Sequence, residues 1–181
     1  SDTALKAGDN ATVTLVFSEA VASFSSAADI TVANGTLATM SSDNNITWTG
    51  TFTPTANTED ASNVLSLATS YTDTAGNAGP AANTLNYAVD TQAPSVDTFT
   101  LSDTALKVGD TATVTLVFSE AVASFSSAAD IMVANGALAT MSSADNVTWA
   151  GTFTPTADTE DASNVLSLAT SYTDTAGNTG P

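Results

Sequence analysis

The chain has neither cysteine nor histidine in its 181 residues, and these two absences remove much familiar chemistry. Without cysteine there is no disulfide framework and no thiolate for a metal. Without histidine the usual general base and the commonest zinc ligand are missing. Hydrolytic triads built on either residue cannot be assembled, and an enzyme is not expected. Basic residues are almost as scarce: Lys6 and Lys107 stand against 19 acids, for a net charge of -17. Nucleic acid phosphates and anionic lipid headgroups are bound by clusters of lysine and arginine, so neither is an expected partner. No apolar run approaches about 18 residues, and no basic start leads into an apolar core. Neither direct membrane insertion nor a signal peptide is expected here. The first residue is Ser1 and not methionine, which fits a piece of a longer chain.

What is present is repetition. Residues 1–80 return as residues 102–181, at an offset of 101, with ten differences among the eighty paired positions. "SDTALKAGD" comes back as "SDTALKVGD", while "TLVFSEAVASFSSAADI" and "DASNVLSLATSYTDTAGN" come back unchanged. The swaps are mild, such as Thr31 with Met132, Ile46 with Val147 and Asn57 with Asp158. Residues 81–101 occur once, between the copies. They are expected to supply the end of one module and the start of the next, giving modules at 1–90, with its first strand truncated, and 91–181, with its last strand missing. At 43% hydrophobic content the chain can fill two cores. Residues 1–101 hold ten acids and one lysine, and residues 102–181 hold nine acids and one lysine. Both modules are therefore strongly negative, which discourages mispairing and aggregation of near-identical neighbours.

Inside a repeat the period is two, that of strands. In "NITWTGTFT", Ile46, Trp48, Gly50 and Phe52 share one face and Thr47, Thr49, Thr51 and Thr53 the other. "ATVTLVF" sets Val13, Leu15 and Phe17 opposite Thr12, Thr14 and Val16. Turn residues punctuate the pattern at "KAGD", "NG", "SSDNN", "PTANTED", "DTAGNAGP" and "DTQAP". Seven strands follow, at 95–101, 11–18, 30–33, 36–40, 46–53, 63–71 and 84–89, and nothing longer than a turn reads as helix. About 100 residues with seven short alternating strands predicts an all-β chain of two tandem seven-stranded immunoglobulin-like β-sandwiches, end to end. Trp48 and Trp149 fall on inward faces, as core residues do.

Six blocks in order, "SDTALKAGD", "VTLVFSEAV", "ITVANGTL", "WTGTFTPT", "DTAGNAG" and "NYAVDTQAP", resemble the bacterial Ig-like tandem repeats of giant RTX-type, type I-secreted surface adhesins of Gram-negative bacteria. The likeness spans both copies. It implies an extracellular extender at the bacterial cell surface, stiffened by calcium (Ca2+), which projects a distal adhesive domain whose ligand lies outside these residues. Its partners would be neighbouring repeats of the same chain.

The acids can be sorted against that implication. In a seven-strand sandwich the loops after the second, fourth and sixth strands gather at the pole where the incoming connection arrives. For module two these loops carry Glu120, Asp130, Asp145, Asp174 and Asn178, and the connection carries Asp90. Calcium takes six to eight oxygens from carboxylates, amides and carbonyls. Asp90, Glu120, Asp130, Asp174 and Asn178 are the candidate ligands, with Gly177 allowing the positive backbone angle that folds Asp174 and Asn178 toward one point. Module one repeats the set as Glu19, Asp29, Asp73 and Asn77, without an incoming connection, so its site is expected to be weaker. The competing reading is that Asp, Asn and Gly are what tight turns use. Glu in "FSEAV" and Asp90 ahead of "TQAP" favour the ion, since no turn needs a carboxylate at the end of an apolar strand. Asp9, Glu59, Asp60 and Asp90 form either an acidic rim at the opposite pole of module one or a second site. Thr12, Thr14, Thr47, Thr49, Thr51 and Thr53 make a flat polar face. The rival function is therefore an adhesion module that binds glycan or ice there, although threonine is also simply the favoured polar residue of exposed strands.

Overall fold

The alternation read in the sequence is what the backbone obeys. The computed structural model describes residues 1–181 and divides into two units, Ser1–Gln92 and Ala93–Pro181. Both are all-β apart from one four-residue helical turn each.

In the first unit the elements run β1 (Ala4–Lys6), β2 (Ala11–Val16), α1 (Ser26–Asp29), β3 (Ile30–Val32), β4 (Gly35–Leu37), β5 (Thr47–Pro54), β6 (Glu59–Asn63), β7 (Leu65–Leu67), β8 (Ala82–Asn83) and β9 (Tyr87–Asp90). One sheet has the order β2-β5-β4 and is antiparallel throughout. The opposing layer comes in two pieces, β3-β7-β8 and β1-β9-β6. On β5 the four threonines are exposed and Phe52 is buried. Register places Thr12 opposite Thr51 and Thr14 opposite Thr49, so the polar face continues across two strands while the apolar faces point inward. Gly35 is required where β4 crosses Phe52: a Cβ there would lie 2.2 Å from the ring.

In the second unit the elements are β10 (Val96–Leu101), β11 (Ala112–Phe118), α2 (Ser127–Asp130), β12 (Ile131–Val133), β13 (Gly136–Leu138), β14 (Thr148–Pro155) and β15 (Leu166–Leu168). The main sheet gains a strand and reads β10-β11-β14-β13, with β12-β15 opposite it. Val114, Leu116, Phe118, Val122, Phe125 and Tyr172 anchor a single core cluster. In the first unit the equivalent side chains divide between two clusters, one around Phe52 and Tyr87 and one around Phe24 and Tyr71.

Three details differ from the expected strands. Residues 63–71 do not form one strand: β6 ends at Asn63 and β7 starts at Leu65. The break sits at Asn63, which is 2% exposed and whose side-chain amide donates to the carbonyls of Asp60 and Tyr87. Likewise 84–89 is not one strand: β8 ends at Asn83, before it, and β9 starts only at Tyr87. The third difference is β1, whose sequence reads only as the approach to a turn. It is a strand because β9 runs beside it in parallel, Ala4 opposite Ala88 and Leu5 opposite Val89. A three-residue segment shows no periodicity of its own, so only its partner defines it.

Candidate functional site

The repeated Asp, Gly, Asn loop folds around its first carboxylate. In the second unit Asp174 Oδ1 accepts the backbone N–H of Gly177 at 2.6 Å and of Asn178 at 2.8 Å. Its Oδ2 accepts the Asn178 side-chain amide at 2.7 Å. Gly177 has φ of 95°, the left-handed conformation that lets the chain double back. The Asp174 N–H in turn donates to the Asn178 carbonyl at 3.1 Å. Two rungs tie this loop to the chain beyond β11: a bridge between Val122 and Asp174, and the Ala123 N–H to the Thr173 carbonyl at 2.8 Å. Glu120, two residues before Val122, is thereby carried to the mouth of the loop. Glu120 and Asp174 each place a carboxylate oxygen within 4.8 Å of the other.

The first unit builds the same loop. Asp73 Oδ1 takes the N–H groups of Ala75 and Asn77, each at 2.8 Å, and Oδ2 takes the Asn77 amide at 2.7 Å. The Asn77 side chain foremost, then its backbone N–H, hold the Asp73 carboxyl below its ordinary value. The loops differ in exposure. Asp174 is 1% and Asn178 4% exposed, whereas Asp73 is half-buried and Asn77 exposed. Glu120 is half-buried and Glu19 exposed.

Asp29 and Asp130 are placed differently from the expected ligand sets. Each is 3% exposed and closes its own helical turn: Asp29 Oδ2 accepts the Ser25 N–H at 2.8 Å and Asp130 Oδ2 the Ser126 N–H at 2.7 Å. Their Oδ1 atoms take short hydrogen bonds from the hydroxyls of Ser70 and Ser171. Asp130 is not among the carboxylates grouped with Glu120 and Asp174. The physical reason is a capping contact: an acid in the first turn of a helix reaches back to the orphan N–H groups at its start. "SSAAD" carries that signal, with Asp four residues after Ser25 or Ser126. Ser70 and Ser171 escape a reading of the sequence because nothing local marks them.

Asp90 closes β9 in the first unit, in register with Lys6 and Glu59 and half-buried. At the same end, Asp9 accepts the Lys6 N–H at 3.0 Å and meets its ammonium at 3.8 Å, an exposed pair of small energetic weight. Asp60 accepts the Asn34 amide at 2.8 Å and the Ser62 N–H at 2.9 Å. Asp145 closes its own turn, taking the N–H groups of Val147 and Thr148 at 2.9 Å, and these bonds, that of Thr148 foremost, hold its carboxyl below the ordinary value. Trp48 and Trp149 pack edge-on against Phe24 and Phe125, each with ring centroids 4.9 Å apart.

The donor set beside Asp174 is all oxygen, which suits a hard cation and not a thiolate- or imidazole-seeking metal. Two N–H groups engage Asp174 Oδ1, while Oδ2 meets one donor and keeps a lone pair for an ion. The carboxylate is thus fixed through both oxygens, by two backbone N–H groups on Oδ1 and the Asn178 amide on Oδ2.

A family model described as bacterial Ig-like domain matches the chain twice, over residues 1–89 and 90–181. No curated protein and no solved structure matches it.

Proposed function

The chain belongs to the bacterial Ig-like domain family over both of its halves, and from that premise we propose that it is a structural extender: repeated sandwiches whose role is length and stiffness in a larger bacterial cell-surface adhesin. The observation that carries this reading is the completeness of the duplication. Seventy of eighty paired positions are kept, core and surface alike, and both copies build the same central strand pair and the same loop. A recognition site tends to be elaborated in one domain, whereas a spacer gains from copying the whole unit. The threonine face is complete in the first unit and interrupted in the second by Ala137 and Ala150, where the first has Thr36 and Thr49, and threonine is the favoured polar residue of any exposed strand. No helix is long and apolar enough to cross a membrane.

We further propose that calcium stiffens the connection between repeats, held by Glu120, Asp174 and the oxygens of the Asp174–Asn178 loop, with Asp90 of the connecting segment as the third carboxylate. Glu120 and Asp174 repel each other when no cation is near, so an ion bound there favours the arrangement that gathers them. Asp174→Ala would remove one ligand and the anchor of the loop; because Asp174 is itself buried, the variant's melting temperature without calcium is the reference against which its calcium response is read.

The test is a calcium titration of the 181-residue chain with labels in the two repeats, following their separation and the melting temperature. Calcium is expected to narrow the distance distribution and raise the melting temperature. Asp174→Ala should abolish both effects, and Asp73→Ala should leave most of them. No calcium response in the parent chain, or equal losses in the two variants, overturns the calcium reading.

A further inference from the structure

The chain has thirteen asparagines, and glycine follows only two of them, Asn34 and Asn135, which hold the same place in the two repeats. The fold imposes both members of this pair. Asn34 and Asn135 have φ of 46° and 51°, a left-handed conformation that asparagine tolerates and bulkier residues resist. Gly35 and Gly136 lie against the rings of Phe52 and Phe153, where a Cβ would come within 2.2 Å. Asn-Gly is also the most labile asparagine step in a polypeptide, because glycine has no Cβ to shield its backbone nitrogen. The sandwich therefore places its most reactive amide in a turn that admits few replacements.

The folded repeat holds that amide still. Asn34 Nδ2 donates to Asp60 Oδ2 at 2.8 Å and to Asn63 Oδ1 at 2.7 Å, which engages both of its hydrogens. Asn63 is 2% exposed and is itself fixed, its amide donating to the Asp60 and Tyr87 carbonyls. The Asn34 carbonyl accepts the Thr55 N–H at 3.0 Å, so the turn peptide is tied down as well. The second repeat has the same restraint. Asn135 Nδ2 donates to Asp161 Oδ2 at 2.9 Å and to Asn164 Oδ1 at 2.7 Å, and the Asn135 carbonyl accepts the Thr156 N–H at 3.0 Å. Closing a ring between the Gly35 nitrogen and Asn34 Cγ moves Cγ and expels Nδ2, so it gives up both side-chain bonds, one of them to a carboxylate.

We propose that Asn34 and Asn135 are sites of self-modification that the folded repeat keeps shut and an unfolded one opens. The Gly35 backbone nitrogen attacks Asn34 Cγ, the Cγ–Nδ2 bond breaks, and Nδ2 leaves as ammonia with the proton that the glycine nitrogen gives up. The product is a cyclic imide. Water then adds to either ring carbonyl, and the ring opens to aspartate or to isoaspartate. No oxidant, reductant or enzyme takes part. Either product is wrong for the refolded turn. Aspartate puts a carboxylate oxygen where Nδ2 stood, facing Asp60 Oδ2 and Asn63 Oδ1 with no hydrogen to share. Isoaspartate routes the main chain through Cγ and so lengthens it at the residue whose carbonyl holds Thr55. A repeat left open long enough is thus marked permanently, at the point that ties β6 to the turn between β3 and β4. This rests on the fold and is independent of calcium.

The test is peptide mapping of the 181-residue chain by mass spectrometry, after parallel incubation at neutral pH in buffer and in urea that unfolds both repeats. In urea, Asn34 and Asn135 should convert before any other asparagine. In buffer both should convert at least about tenfold more slowly than in urea, because the reaction waits for opening. Asp60→Ala is expected to speed conversion of Asn34 in buffer and leave Asn135 unchanged, and Asp161→Ala the reverse, so each repeat is the control for the other. Asp60→Asn, which keeps an acceptor oxygen, should restore most of the protection. Hydrogen exchange at 47–54 stays slow if only the side chain is loosened and becomes fast if the repeat has unfolded. A second measurement needs no variant: across the urea transition the conversion rate of Asn34 should follow the unfolded fraction of its repeat. Asn34→Asp should lower the melting temperature of the first unit. The proposal is overturned by conversion in buffer as fast as in urea, by other asparagines converting first in urea, or by a rate that ignores the unfolded fraction. It is equally overturned if Asp60→Ala, still folded, converts no faster than the parent, or if Asn34→Asp melts as the parent does.

Discussion

Val13, Leu15 and Phe17 are the same residues as Val114, Leu116 and Phe118, at the same places in the repeat, yet the first three are only half-buried and the second three are 0%, 0% and 1% exposed. The difference is β10, which lies along β11 and has no counterpart beside β2. At the other side of the sandwich the inequality reverses. Leu5, Leu65 and Asn63 are buried, whereas Leu106 and Leu166 are half-buried and Asn164 is exposed. There the difference is β9. Two nearly identical sequences thus isolate what one border strand does at each side of a sandwich: it buries a row of side chains that its own residues barely resemble, and it turns its neighbours into strands.

That comparison can be broken most directly in the cores. Leu5→Ala should cost the first unit about 3 kcal/mol, and Leu106→Ala should cost the second roughly 1 kcal/mol, because the cavity penalty scales with how completely the site is enclosed. Leu116→Ala and Leu15→Ala should invert the order, with the larger loss now in the second unit. Urea unfolding with a single tryptophan left in one repeat at a time, Trp48 or Trp149, would read each unit separately. Equal losses at paired positions would mean that burial in the two repeats does not differ as described.

A smaller effect is expected at the paired tyrosines. The Tyr71 hydroxyl donates to the Pro80 carbonyl at 2.9 Å, while the buried Tyr172 hydroxyl has no partner. Burial pushes the Tyr172 hydroxyl above its ordinary pKa. Tyr71→Phe should therefore cost about 1 kcal/mol, and Tyr172→Phe should be neutral or slightly stabilising, since it deletes an unsatisfied group. Melting of the two variants against the parent is the check.

The smallest effect concerns acid. The Asp73 carboxyl is held below its ordinary value of 3.8. Its contribution to the first unit is therefore present in full above that value and is lost as pH falls through and below it. Asp73→Asn should flatten the acid side of that unit's melting curve below about pH 4 and leave neutral pH nearly unaffected. An unchanged acid limb would show that the loop bonds do not favour the charged form.

The alternation in residues 46–53 is enough to place a strand within one residue of where it lies, and to set its threonines outward, because a sheet with one wet face imposes period two on its sequence. The turns are legible for a similar reason: Gly76 and Gly177 have φ of 91° and 95°, which their residue type anticipates. What the sequence hides are features defined by a distant partner. The strand β1 depends on β9, and the break at Asn63 depends on the Tyr87 carbonyl. At the candidate site, the loop from Asp174 to Asn178 can be read locally. The capping role of Asp29 and Asp130 is local too, in "SSAAD", but the hydroxyls that take their other oxygens cannot be read there, because they belong to Ser70 and Ser171, 41 residues away.

The parallel pairing of β1 with β9 has a mechanical meaning. These strands lie near the two ends of the first unit, and they run in the same direction. Tension applied at the two ends of that unit therefore pulls them past one another along their length. All the hydrogen bonds between them share the load together, as in a lap joint. In an antiparallel hairpin pulled at its open end, the same bonds would break in succession, like a zip. A domain joined this way resists stretching along the direction in which a chain of repeats would be pulled, with strands of only three and four residues.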